Sequence, residues 1–296
     1  MPVLRAPAFW PNLAATASLF RHARAGLAEP AALPRIERTL HAATLDPAWL
    51  RSYHECIGLG SAPGDTLAPL TLQIAAAPLH LAVLADSRFP FRALGLVHMS
   101  QSVLQTRALP ANAAFDLLVY STEARWEKRG MSFCLVTEAR CDGDLVWQGH
   151  TRALAPGPSP GVQAPAGGDL DASDLGAPRC TQALHVPESC GRRYAAIAGD
   201  LNPIHQHALL ARPFGFKRAI VHGTWTLARA LAIAGLPRSA AFNLNARFRR
   251  PVSLPSDVMV RAWAGDGEQR HTVVVSSPDG ATTYLNMQLT ESNVVA

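Results

Sequence analysis

Lysine is nearly missing from this chain: Lys128 and Lys217 stand against 25 arginines. A skew of that kind reflects coding-sequence composition as readily as function. No basic run interleaved with aromatics accompanies it, so the net charge of +5 does not amount to a nucleic-acid-binding surface. Also missing is any apolar run of membrane-spanning length. With 48% hydrophobic and 17% charged residues, the composition predicts a soluble globular protein. Cysteines are few and odd in number, at 56, 134, 141, 180 and 190, with no metal-ligand spacing. Free thiols in a reducing compartment are expected rather than a disulfide framework. Residues 1 to 28 contain Arg5, Arg21, His22 and Arg24 and no acid before Glu29, faintly like a transit peptide. Pro7, Pro11 and Pro30 interrupt any long amphipathic helix there, and the expectation is a cytoplasmic protein without a cleaved leader.

A length of 296 residues is natural for two cores. Residues 154–178 are rich in Pro, Gly and Ala without apolar periodicity and read as a linker. The segments on either side resemble each other. Phe115 to Glu123, Ser132 to Ala139 and Asp144 to Thr151 read as a three-strand meander, as do Asp257 to Ala262, Arg270 to Ser276 and Ala281 to Thr290. A Leu-Pro precedes each meander, at Leu109-Pro110 and Leu254-Pro255. Each half also has a helix that is apolar nearly all round. One runs from about Thr224 to Ala234, stopped by Gly235-Leu-Pro237; the other covers Leu72 to Ala85, where Pro78 must kink or divide it. A buried helix wrapped by an antiparallel sheet is the hot-dog architecture. The fold class expected is therefore α+β, a double hot-dog with its two sheets joined edge to edge, which removes one exposed edge from each. The expected boundaries are an N-terminal extension (1–44), a first hot-dog (45–153), the linker (154–178) and a second hot-dog (179–296).

The chemistry concentrates in Tyr194-Ala-Ala-Ile-Ala-Gly-Asp-Leu-Asn-Pro-Ile-His205 and, 17 residues on, in Val221-His222-Gly223. A carboxylate (Asp200), a carboxamide (Asn202) and an imidazole (His205) crowd around an Asn-Pro turn, which places acid/base groups together. On its own, Asp-x-Asn-Pro is common turn chemistry. The longer pattern, with Gly199, His205 and the downstream Val-His-Gly in register, resembles the Gly-Asp-x-Asn-Pro-x-His motif of the MaoC-like (R)-specific enoyl-CoA hydratases, also called hydratase 2. The likeness covers roughly residues 45 to 290 and is strongest in the second half.

That resemblance implies hydration of an α,β-unsaturated thioester, or the reverse dehydration of an (R)-3-hydroxyacyl thioester. The reaction needs a base for water, an acid for C2 and donors for the enolate oxygen. Carried over position by position, Asp200 and His205 become the acid/base pair, Asn202 positions the loop or the water, and the Gly223 backbone N–H at a helix opening holds the thioester oxygen. Tyr194, His222, Arg247, Arg249 and Arg250 form the expected substrate-binding set, the arginines meeting coenzyme A phosphates or an acidic carrier protein; Arg192 and Arg193 lie close to the motif as well. No cofactor or metal is implied. The His205-x-His207 pair offers too few ligands for zinc, and His54, Glu55 and Cys56 read as ordinary helix residues.

A second Val-His, Val97-His98, follows Phe89-Pro-Phe as Val221-His222 follows Phe214-Gly-Phe. His98 lies only 12 residues before Pro110, whereas His222 lies 33 before Pro255. No helix fits after His98, which is expected on a strand. The first half lacks the Asp-x-Asn-Pro-x-His motif and is expected to be catalytically silent, shaping an acyl tunnel. Coenzyme A or acyl-carrier-protein thioesters are the expected substrates, and a homodimer is possible; the alternatives are a carrier-protein-specific 3-hydroxyacyl dehydratase of fatty-acid or polyketide synthesis and a non-catalytic thioester-binding subunit.

Overall fold

The computed structural model describes residues 2–4, 27–60, 64–162, 175–265 and 269–292. Most of the N-terminal extension (5–26) and the middle of the linker (163–174) lie outside the described residues. The first half comprises β1 (Val3–Leu4), β2 (Glu37–Leu45), α1 (Pro47–Ile57), α2 (Thr71–Ala75), α3 (Ala77–Leu84), β3 (Val97–Gln105), β4 (Phe115–Glu127), β5 (Gly130–Cys141) and β6 (Asp144–Pro156). The second comprises β7 (Cys180–Val186), α4 (Cys190–Ala198), the short α5 (Ala208–Ala211), α6 (Gly223–Ala234), β8 (Ala241–Phe248), β9 (Ser256–Ala264), β10 (Arg270–Ser276) and β11 (Thr283–Ser292).

All these strands lie in one sheet, in the order β1-β2-β4-β5-β6-β3-β8-β11-β10-β9-β7. The series β2-β4-β5-β6-β3 and β7-β9-β10-β11-β8 are mirror images about an antiparallel seam of β3 with β8, which runs from Ser100 opposite Arg247 to Gln105 opposite Phe242. The edge-to-edge double hot-dog is thus the architecture observed. The first sheet begins earlier than the boundary at 45, because β2 pairs with β4 from Glu37 onward. Its side chains are half-buried at best until Ala43, so the segment shows little apolar signal.

Local sequence explains the helices. Asp46 caps α1 by accepting the Ala48 N–H at 2.8 Å, Pro47 opens it, and Gly58 ends it in the left-handed conformation (φ 82°). In α6, Trp225, Leu227, Ala228, Ala230 and Leu231 are buried, and Gly235 (φ 63°) closes it. Burying a leucine such as Leu227 completely contributes about 1.5–3 kcal/mol. Pro78 divides the counterpart in the first half: α2 stops at Ala75 and α3 starts at Ala77. There the expectation of a helix buried all round fails, since Val83 is the one fully buried residue of α3. Ala77, His80, Leu81 and Leu84 of α3 line a cavity. Elsewhere most apolar side chains of both halves merge into one continuous core, and Ile204, Ala211 and Ile220 form a second, small cluster.

The halves also grip each other through α1, which meets α4 and α6 of the second half. The Trp49 indole donates to the Ile197 carbonyl at 2.9 Å, and the Trp225 indole donates to the Cys56 carbonyl at 3.0 Å. No helix among the described residues is long and apolar enough to cross a membrane.

Candidate active site

Helix α4 delivers the motif. Gly199, in the left-handed conformation (φ 71°), ends the helix and turns the chain into Asp200. The Asp200 carboxylate accepts the Asn202 N–H at 3.1 Å, and the Asn202 side-chain oxygen accepts the Ile204 N–H at 3.4 Å. Pro203 then opens a single 3₁₀ turn, Pro203–His205. These two bonds hold the loop in shape. Gly191 lies under this turn so closely that a Cβ would collide with the His205 carbonyl oxygen.

His205 and His222 meet beneath Asp200, their rings stacked with centroids 3.7 Å apart and 26° between planes. His205 Nδ1 is 2.8 Å from the Ile220 carbonyl. A carbonyl only accepts, so Nδ1 carries the hydrogen and, in the neutral ring, Nε2 keeps its lone pair. That nitrogen sits 3.9 Å from Asp200 Oδ2. His222 Nε2 is 3.1 Å from the Asp200 backbone carbonyl, to which it donates, and 3.8 Å from Oδ2. Both imidazoles are buried, whereas the carboxylate is about half exposed, at 53%.

Burial governs the titration of the site. Desolvation pushes the Asp200 carboxyl up, but His222, His205, the Asn202 N–H and His98 together outweigh it, and the group lies below the usual carboxylate value. Desolvation lowers His205, partly offset by Asp200 and the Ile220 carbonyl. His222 is pulled down to about 3 by burial and by His205 beside it. At neutral pH the site therefore holds an anionic carboxylate and neutral imidazoles.

Gly223 is the first residue of α6, where backbone N–H groups have no intrahelical acceptor and the helix dipole favours negative charge. A Cβ at this position would stand 2.9 Å from the Phe248 ring, which itself packs 4.5 Å from the His98 ring. Tyr194 is fully buried behind His222, with ring centroids 5.0 Å apart, and its hydroxyl donates to Thr224 Oγ1 at 3.1 Å. It braces the imidazole against α6.

Beside Asp200 and Asn202 opens a cavity of about 370 Å³, walled mainly by the first half: Leu81 and Leu84 of α3, Phe133 and Leu135 of β5, Ala153 of β6, with His80 and His98. His98 lies on β3, as its spacing predicts, and its ring forms part of this wall.

The arginines separate. Along β8, Phe242, Leu244 and Ala246 point inward, so Arg247 points outward, onto the opposite face of the sheet with Ser100, Asn245 and Asn286. It does not join the imidazoles. Arg249 and Arg250 are exposed just past Phe248, their backbone N–H groups both directed at the Tyr284 carbonyl. Arg192 donates to the Gln206 carbonyl at 3.0 Å, bracing the motif loop. His207 caps α5 by accepting the Leu209 N–H, so the His205-x-His207 pair does not converge. The ligating atoms of Asp200, His205 and His222 do lie within 4.8 Å of one another. Yet the nearer nitrogen of His222 is committed as a donor to the Asp200 carbonyl, leaving fewer than the three protein ligands of a catalytic metal.

The first half carries the outline of the same site without its chemistry. Tyr53 precedes Gly58 as Tyr194 precedes Gly199, both tyrosines are fully buried, and both glycines are left-handed. After Gly58, however, stands Leu59 where Asp200 follows Gly199. This correspondence was available in the sequence as a shared Tyr-x₄-Gly spacing.

The site thus sets a carboxylate facing a neutral imidazole near a helix opening, beside a cavity walled mainly by the half that lacks the motif. Comparison with known proteins is specific. The MaoC like domain model matches residues 172–284. The 3-hydroxyacyl-thioester dehydratase X of Mycobacterium tuberculosis is 30% identical over 236 residues, 79% of this chain and 82% of that protein. The crystal structure of HtdX from Mycobacterium tuberculosis superposes with a TM-score of 0.74 at 25% identity, covering 87% of this chain and 100% of the other. A MaoC-like dehydratase from Phytophthora capsici shares the fold, with a TM-score of 0.67 at 16% identity over 88% of this chain and 96% of its own. The chain belongs to the MaoC-like dehydratase family.

Proposed function

We propose that this protein catalyses the reversible hydration of trans-2-enoyl thioesters to (R)-3-hydroxyacyl thioesters. The observation that carries the proposal is the 3.9 Å gap between Asp200 Oδ2 and His205 Nε2. Two acceptors at that separation can each take one hydrogen of a single water at an ordinary distance of about 2.8 Å. The lone pairs of the water oxygen point away from both, and one faces C3 of an acyl group lying in the cavity. In hydration the water's hydroxyl adds to C3, and its proton passes through the pair to C2. Negative charge resides meanwhile on the thioester oxygen, which the Gly223 N–H receives. Dehydration runs the same steps backwards. His222 takes no proton in this scheme; by bonding the Asp200 backbone and stacking on His205 it fixes both reacting groups.

The acyl chain enters the first-half cavity, and Arg249 and Arg250 meet the phosphates of the thioester handle. The test is a hydration assay with trans-2-enoyl thioesters of several chain lengths, carried on coenzyme A and on a carrier protein. Turnover on one or both handles is expected, lost in Asp200→Asn. No turnover on any thioester, or full turnover in that variant, refutes the proposal.

A further inference from the structure

We propose that the acyl cavity is built for a chain bearing a neutral hydrogen-bonding group beyond C3, a hydroxyl or an oxo substituent, in preference to a plain alkyl chain. The inference rests on the hydratase reading above and concerns which thioesters that site takes.

Its basis is a pair of imidazoles set in an otherwise apolar wall. His80 comes from α3 and His98 from β3, and both line the cavity that opens beside Asp200. Neither belongs to the motif, and both sit in the half that lacks catalytic groups. Each ring meets a protein partner through Nε2, and His98 lies against the Gln101 side chain as well. His80 Nε2 lies 2.6 Å from the Thr137 hydroxyl, and His98 Nε2 lies 3.0 Å from the Ser100 carbonyl. Because a carbonyl only accepts, the neutral His98 ring has its hydrogen on Nε2 and presents Nδ1 as an acceptor. The role of His80 Nδ1 follows the rotation of the Thr137 hydroxyl, so it can serve as donor or acceptor. Between them the rings answer a hydroxyl, which gives and takes a hydrogen bond, or an oxo group, which takes one.

Thr151, the other polar residue that the first half contributes to the cavity, is already spent. It accepts from the Gln73 amide at 2.9 Å and donates to Gln101 at 2.8 Å. Charge narrows the class further. Among the described residues no arginine or lysine lines the cavity, and Asp200 stands at its end, so a chain ending in a carboxylate is disfavoured. The rings themselves are neutral at pH 7, since burial brings both down to about 4. A plain alkyl chain would expel water from the cavity and leave the second nitrogens unpaired, a cost that a substituted chain avoids. Sites that hydrogen-bond a substrate group discriminate against the analogue lacking it for this reason.

The experiment measures a ratio. kcat/KM is determined for trans-2-enoyl thioesters of equal length, with and without one hydroxyl or oxo group beyond C3, on coenzyme A and on a carrier protein in parallel. The wild type should favour the substituted chain by about tenfold, the worth of a well-made hydrogen bond. His98→Phe and His80→Leu should bring the ratio toward one, while His80→Gln, which keeps hydrogen-bonding capacity, should retain most of it. Because the ratio is taken within each protein, a general loss of activity cancels. If the variants fail to fold, the wild-type ratio decides alone. A wild-type preference for the plain chain, or a ratio unmoved in both variants, overturns the inference. A protein that hydrates neither kind of chain overturns the hydratase reading itself, and this inference with it.

Discussion

Replacing Gly191 by alanine should lower turnover without altering any group that meets the substrate. Gly191 lies at the start of α4, and an added Cβ would collide with the His205 carbonyl oxygen; the His205 carbonyl carbon and Leu254 Cδ1 are each 3.2 Å away. A backbone carbonyl cannot swing aside as a flexible side chain does. Either α4 or the Pro203–His205 turn must retreat, by on the order of 1 Å if ordinary contact distances are to be restored. Two distances then suffer: the 2.8 Å bond that fixes the His205 tautomer and the 3.9 Å gap to Asp200. Misplacing a catalytic group by about 1 Å costs on the order of 10²-fold in rate. The same overpacking should remove about 1–3 kcal/mol of stability. Measuring kcat and Tm for Gly191→Ala separates the two, with Gly157→Ala as control because nothing lies within 4 Å of a Cβ there. If turnover per folded molecule stays within about twofold of wild type, less than one ordinary hydrogen bond is worth, the claim that Gly191 positions His205 is wrong.

Other consequences are equally open to measurement. Asp200→Asn and His205→Ala should each lower kcat by about 10² to 10⁴, and the double variant should be little worse than either because the two act on one water; additive losses in kcat would refute the shared water. His80 and His98 titrate near 4 and His222 near 3 in the fold, against about 6.5 when unfolded. Between those values the unfolded chain binds more protons, so Tm should be level above about pH 6.5 and fall on acidification; a Tm that holds or rises from pH 6.5 to pH 4 would contradict the buried neutral imidazoles. Arg249→Ala or Arg250→Ala should raise KM for coenzyme A thioesters by an amount that shrinks with added salt, and leave short thioesters without the nucleotide unaffected; equal effects on both mean that the arginines serve the fold. Residues 175–296 expressed alone should self-associate or precipitate, since β8 loses β3 and presents an open edge; a soluble monomer by light scattering would show that the seam is dispensable.

Much of this molecule is legible residue by residue. The motif from Gly199 to His205 is contiguous, and turn chemistry ties Asp200, Asn202 and Pro203 to one conformation, so local sequence is enough. The meanders are equally plain, since each strand is bounded by its own turn signal. What escapes is non-local. Strand β2 shows little apolar pattern because its burial comes from a β4 partner more than seventy residues away. Arg247 reads as near the site only if strand periodicity is ignored; alternation with Ala246 and Phe248 sends it to the far face. His80 and Gly191 give no signal at all, because the cavity wall and the carbonyl that define their roles belong to other elements.

The two indole bonds, from α1 to α4 and from α6 to α1, place each half's tryptophan on a main-chain carbonyl in the last turn of a helix belonging to the other half. Those carbonyls lack intrahelical partners and would otherwise need water. Each half thus completes the secondary structure of its twin, and neither helix is fully satisfied until both halves have folded. The duplicated chain has in this sense given up modularity: it should melt in one cooperative transition. A substitution at Trp49, in the half that lacks the Asp-x-Asn-Pro-x-His motif, would then be felt in the candidate site as directly as one at Trp225.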